Sequence, residues 1–215
     1  MTIAAATRFW DRIAERYAAD PIKDMAGYER TLERTAALLN PTDSVVEIGC
    51  GTGTTALRLA PSVSRIIASD VSPAMIAIAR KKAEAQGCAN VTFEARAAEE
   101  PGGPAGLHDA VLAFNVLHLV ADRAAVLAEA HRLLKPGGLF ISKTFCNLGP
   151  AAPLKYRLMK VVLSVMQLLG LAPFVQFLNE AELKQRIAAQ GFEIVETRHF
   201  VTDVSVPFIV ARKAA

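Results

Sequence analysis

The segment Glu47-Ile48-Gly49-Cys50-Gly51-Thr52-Gly53 holds the densest grouping of residues able to do chemistry. Glycines at alternate positions let the backbone turn tightly and approach a ligand where a Cβ would collide. The spacing is G-x-G-x-G, whereas dinucleotide enzymes carry G-x-G-x-x-G, and Thr54 stands where their third glycine would be. That fingerprint also seats a pyrophosphate at a helix N-terminus. Glu47, just before the loop, would repel an anion and suits a cationic or amine-bearing ligand. Seventeen residues past Gly53 comes Asp70, whose carboxylate can accept two hydrogen bonds from a ribose diol. Alone, Asp70 reads equally as a turn or helix cap, a task open to Ser72 as well. Together, the bare loop and the two carboxylates describe a cradle for a positively charged nucleoside.

His118, in Asn115-Val116-Leu117-His118, is the best-placed candidate for a general base, because imidazole titrates near neutrality. Lining a pocket or capping a helix would explain it too. His108, His131 and His199 read as structural or solvent-facing. No His/Asp/Glu cluster has metal-ligand spacing, so no metal is expected. Cys50, Cys88 and Cys146 form no C-x-x-C pair, which points to reduced thiols and a cytoplasmic protein. Cys50 itself reads mainly as space-filling.

The elements that must position these residues follow from periodicity. Phe9, Trp10, Ile13 and Tyr17 recur at helical spacing before Pro21, and a second helix over 28–39 stops at Asn40-Pro41; together they span 7–39. Strands are predicted at 44–48, 65–69, 91–94, 110–114 and 139–144. Helices are predicted at 54–60, from Ser72-Pro73 to about Gly87, and from Asp122 through Leu134, where Pro136-Gly137-Gly138 stops the last. Strands alternating with helices of this length imply parallel βαβ units and a sheet covered on both faces. A capping box at Asn179 and Glu182 opens a helix that Gly191 ends, and 192–197 and 208–211 read as closing strands. The fold class is therefore α/β, doubly wound, with a seven-stranded, mostly parallel sheet. With no internal repeat or linker, 1–215 reads as one domain.

The segments Glu47 to Gly53, Asp70-Val71-Ser72-Pro73-Ala74-Met75, Asp109-Ala110-Val111 and Leu133-Leu134-Lys135-Pro136-Gly137-Gly138-Leu139 resemble the class I S-adenosylmethionine (SAM)-dependent methyltransferases. The likeness is greatest to the small-molecule branch around the ubiquinone and menaquinone C-methyltransferases. It implies the Rossmann-like methyltransferase fold, SAM as methyl donor and S-adenosylhomocysteine (SAH) as product. It also implies roles. Gly49, Gly51 and Gly53, with Cys50 among them, pass the methionine part, and Glu47 stands near its amino group. Asp70 holds the ribose, Val71 and Met75 flank the adenine, and Ala98 offers backbone bonds to the adenine edge. Asn115 lies beneath the methyl, and Tyr17 closes over the amino-acid end. Relatives have Asp where this chain has Ala97, so the adenine amino group falls to Glu99, water or backbone.

An apolar insertion, 151–178, follows the fifth strand and reads as an α-helical lid over a small, hydrophobic or lipid-like acceptor. Within it, 154–169 forms a helix whose narrow polar stripe is Arg157, Lys160, Ser164 and Gln167. An interfacial helix against lipid phosphates, giving peripheral membrane contact, is a second reading. A homodimer contact or core packing is a third. Basic residues number 24 against 21 acidic, a net charge of +3, with no basic run, so no nucleic-acid partner is expected. The longest apolar run is broken by Gly170 and Pro173, and an early Arg8, Asp11 and Arg12 argue against a secretory leader. Three other functions compete: a SAM-binding partner protein without activity; an NAD(P)-dependent oxidoreductase, which the glycine spacing disfavours; and RNA methylation, disfavoured by the lack of an RNA-binding module and a basic-aromatic patch.

Overall fold

The computed structural model describes residues 2–146, 162–163, 166–167, 172–176, 178–200 and 205–214. Two helices lead in, α1 (Ile3–Ala19) and α2 (Met25–Ala36), the first starting six residues before its apolar periodicity at Phe9 and the second three before 28. The reason is capping. Thr2 Oγ1 accepts from Ala5 N–H (3.3 Å), and Asp24 Oδ1 accepts from Gly27 N–H (2.9 Å), pulling both starts forward.

The alternating region contains β1 (Ser44–Ile48), α3 (Thr54–Leu59), β2 (Arg65–Asp70), α4 (Pro73–Ala85), β3 (Val91–Ala95), β4 (His108–Phe114), α5 (Arg123–Leu133) and β5 (Leu134–Lys143). It is followed by α6 (Glu180–Ala188), β6 (Phe192–His199) and β7 (Pro207–Lys213). Asn179 and Glu182 do form the expected capping box. The sheet has seven strands in the order β3-β2-β1-β4-β5-β7-β6, parallel up to β5, with β7 antiparallel to both neighbours. Every residue of the near-central β1 is buried, as a strand covered on both faces requires.

Leu134 begins β5 rather than ending α5. It pairs with His108, and the next pair is Ala110 with Leu139, so Lys135-Pro136-Gly137-Gly138 bulges out between two paired positions. Periodicity could not reveal this, because a single pair upstream of a bulge leaves no pattern.

One face of the sheet packs Val46, Ile48, Phe140 and Ile209 against Leu127 and Leu133 of α5 and Leu183 and Ile187 of α6. The other packs Val45, Ile66, Leu112 and Val210 against Leu32, Leu57 and Ile76 from α2, α3 and α4. Of the 151–178 insertion, Val162, Leu163, Met166 and Gln167 are helical. The rest of the 154–169 helix, including Arg157, Lys160 and Ser164, lies outside the described residues. The end of the insertion is fastened by buried Arg123, which donates to the carbonyls of Leu117 (2.7 Å) and Gln176 (2.7 Å). No helix among the described residues is long and apolar enough to cross a membrane.

Candidate functional site

In an open α/β sheet a crevice forms at the carboxyl ends of the strands where the strand order reverses. Here the reversal lies between β1 and β4, and a cleft opens there with about 1100 Å³ of empty space counted out to solvent. The β1–α3 loop forms its floor, the β2–α4 turn and residues 96–99 one side, the end of β4 the other, and α1 the outer wall.

The floor depends on bare backbone. Gly49 has φ +71°, and a Cβ on it would stand 2.5 Å from Val116 Cγ2. The missing side chain lets β1 and the β4 loop close on each other. Gly51 donates its N–H to Asp70 Oδ2 (3.0 Å), and Ser72 N–H donates to Asp70 Oδ1 (2.9 Å). The capping role and the cleft-facing role of Asp70 are thus not alternatives, since a carboxylate has about four lone-pair sites. Ser72 caps α4 itself, accepting from Met75 N–H (3.1 Å).

Glu47 is 2% exposed, and its Oε2 has no hydrogen-bond partner among the described residues. Burial, with Asp70 close by, pushes its pKa up to about 8. Burial also raises Asp70, against the pull of its two backbone N–H donors. Burial and then the neighbouring Asp70 raise the Tyr17 phenol, and burial pushes the Cys50 thiol well up, so Cys50 stays an unreactive thiol.

Of the residues singled out from sequence, Tyr17, Glu47, Gly49, Cys50, Gly51, Asp70, Val71, Met75, Ala98, Glu99 and Asn115 all border this one cleft. Asn115 holds φ +55°, rare for a residue with a side chain, and its N–H donates to the Lys143 carbonyl (2.7 Å). Gly53 and His118 do not border it. Gly53 caps α3, where a Cβ would meet Phe93 Cε1 at 2.7 Å and Ala79 Cβ at 2.8 Å, so it serves packing. His118 is buried with its ring edge-on to Phe145 (5.3 Å), and burial followed by Arg123 lowers its pKa to about 4. An imidazole so placed is a weak proton acceptor at neutral pH, and the structure does not bring it to the cleft.

Cleft-lining residues to which the sequence reading gave no site role are the N-cap Thr2 and Ile3, Ala6 and Trp10 of α1, with Thr55, Arg96, Phe114, Val116, Leu119, Val120 and Ala121. Trp10 carried a signal, lying seven positions before Tyr17 and so on the same helix face. The two rings meet edge to face at 6.1 Å. Arg96, paired with Glu94 at 2.5 Å, borders the same side of the cleft as Ala98 and Glu99.

The family described as "Methyltransferase domain" matches residues 45–138. The ubiquinone biosynthesis O-methyltransferase of Pseudomonas aeruginosa PAO1 is 30% identical over 231 residues, covering 98% of this chain and 93% of that protein. The protein of the same name from Azotobacter vinelandii is 30% identical over 227 residues, with coverage of 96% and 92%. Among solved structures, magnesium protoporphyrin IX methyltransferase of Synechocystis PCC 6803 with bound SAH superposes with a TM-score of 0.69, at 21% identity, covering 96% of this chain and 94% of that one. Geranyl diphosphate C-methyltransferase of Streptomyces coelicolor gives 0.72 at 16% identity, covering 99% and 97%. These two show a shared fold.

Proposed function

The chain belongs to the class I SAM-dependent methyltransferases, those acting on small molecules, and from that premise we propose that it methylates an oxygen of an apolar, ring-bearing or lipid-like acceptor held at the carboxyl end of β4. The oxygen and the ring are inferred from the relatives named for ubiquinone biosynthesis O-methylation. The apolar character is supported by Phe114, Val116, Leu119 and Val120 on that side of the cleft.

SAM supplies an activated methyl group on a sulfonium, whose departure as a neutral thioether needs no acid. The protein's task is then binding and alignment, which can account for several kcal/mol of a displacement barrier. Three features of the cleft fit this donor: a buried carboxyl oxygen without a partner at Glu47, bare backbone at Gly49 and Gly51, and Asp70 beside apolar Val71 and Met75. Glu47 and the loop would hold the amino-acid end, with Cys50 filling space behind and Tyr17 covering it. Asp70 would take the ribose diol, while Val71, Met75, Ala98 and Glu99 line the adenine side. Asn115 would border the reacting end. The orphaned Glu47 oxygen carries the assignment, because burying a carboxyl without a partner is costly unless a ligand supplies one.

Glu47 makes binding pH-dependent. With its pKa near 8 in the free protein, it is largely protonated at pH 7 and must ionise to hold a cation. SAH affinity should therefore rise as pH increases from 6.5 to 8, and binding at pH 7 should release a proton, seen as a buffer-dependent calorimetric enthalpy. Stability without ligand should move the other way. The folded protein binds more protons than the unfolded chain between the ordinary carboxyl pKa and about 8, so it loses stability as pH rises through that window. Glu47→Gln should flatten both trends; trends that persist in it belong to another group.

The acceptor is tested by incubating the purified protein with methyl-labelled SAM and separate organic and aqueous cell extracts, then with an alkylated catechol. Label should enter the organic fraction and the catechol oxygen. Label confined to water-soluble amines or to RNA would overturn the acceptor assignment and leave the donor site standing.

A further inference from the structure

The outer wall of the cleft, α1, is tied to the start of α4 by a carboxylate. Asp11 Oδ1 accepts hydrogen bonds from Ser72 Oγ (2.6 Å) and from Ala74 N–H (3.0 Å). Ala74 lies in the first turn of α4, where backbone N–H groups lack helical partners and the positive end of the helix dipole favours a carboxylate. Ser72 passes the contact on, since its N–H donates to Asp70 Oδ1 (2.9 Å). Thr7 Oγ1 adds a long contact to the Val71 carbonyl (3.4 Å). So α1 is tied to the same turn that presents Asp70, Val71 and Met75 to the cleft, while its own cleft face carries Ile3, Ala6, Trp10 and Tyr17. At its far end α1 runs into the non-helical stretch 20–24, beginning with extended Asp20.

We infer that Asp11 is a positioning residue for methyl transfer. Its carboxylate latches α1 to the β2–α4 turn and sets how long the bound nucleoside is retained. Asp11 does not border the cleft. Its loss should leave the groups around the ligand in place and let the wall lift, so the change belongs in the dissociation rate. The inference rests on reading the cleft as the SAM site.

Trp10 is the single tryptophan of the chain and borders the cleft, so its emission reports the wall directly. Stopped-flow mixing of SAH with the full chain, followed by Trp10 emission, separates association from dissociation. In Asp11→Ala the dissociation rate should rise by about tenfold, and the KM for SAM with it, while kcat at saturation stays within about twofold. Asp11→Asn keeps an acceptor oxygen and loses the charge, so about threefold is expected; it carries the test if the alanine variant does not fold. A purely structural Asp11 would instead lower the unliganded melting temperature and kcat together. Dissociation within twofold of the parent in a folded variant overturns the latch. A parent protein that takes up no SAH in the calorimeter overturns the donor site instead, so the two failures are distinct.

Discussion

Asp70→Ala is expected to weaken SAH and SAM binding by about two orders of magnitude or more while the chain still folds. Hydrogen bonds to a charged group contribute about 1.5–3 kcal/mol each, and a ribose diol offers two. Their sum is at least about 3 kcal/mol, and each 1.4 kcal/mol is roughly a factor of ten in affinity. The carboxylate has a second duty, because Gly51 N–H and Ser72 N–H both donate to it. Alanine leaves both donors to water, so the loop that carries bare backbone loses its tether as well. Stability without ligand should therefore fall too, by about 1–3 kcal/mol. Asp70→Asn keeps one acceptor oxygen for the loop and should recover much of the stability but little of the affinity. Calorimetric titration beside thermal unfolding separates the two. Affinity within threefold of the parent in a folded Asp70→Ala protein would remove the ribose assignment.

A methyl group added at Gly49 should be worse for the fold than most changes in the core. The backbone sits at φ +71°, a conformation that costs a residue with a Cβ about 1–2 kcal/mol. The new carbon would also press on Val116 Cγ2 at 2.5 Å, an overpacking that costs typically about 1–3 kcal/mol. Together these come to about 2–5 kcal/mol, a large share of the roughly 5–15 kcal/mol that holds a domain folded, so Gly49→Ala should unfold at a much lower temperature and lower denaturant concentration than the parent. The two causes can be separated, because only the second involves Val116. In a Val116→Ala background the Gly49→Ala penalty should shrink by about 1 kcal/mol or more, leaving the backbone cost, as a double-mutant cycle measured by denaturant unfolding would show. An equal penalty in both backgrounds would acquit Val116.

Gly49 and Asp70 were legible because their chemistry is local. A glycine pair after an apolar strand and a carboxylate at the end of the next strand keep their meaning in any βαβ unit. The positions of the first five strands along the chain were legible for a similar reason, each being bounded by its own turn residues. Gly53 looks identical to Gly49 in sequence, yet its empty Cβ site is filled by Phe93 and Ala79, two residues brought there only by the sheet and α4. His118 looked well placed beside Asn115, but the loop turns its ring under Phe145 and away from the cleft. Asp11 gave no sign at all, because an acidic residue on the polar side of an amphipathic helix is unremarkable until α4 presents its N-terminus. Such residues have roles defined by contacts across the chain, and Asp11 and Ser72 are 61 positions apart.

The placement of β7 has a consequence for how the polypeptide is made. Although last in sequence, it is wedged between β5 and β6 and pairs with both. Until synthesis has passed Lys213, the hydrogen-bonding groups along one side of β5 have nothing to pair with, and β6 has no place in the sheet. An emerging chain thus exposes a sticky, unfinished border from the completion of β5 at Lys143 until β7 arrives, the condition under which strands of neighbouring nascent chains find one another. Sequence-distant pairing of this kind is slow to form. Yield in a cell-free system should consequently respond more to chaperones that shield nascent chains than the melting temperature of the finished protein would suggest.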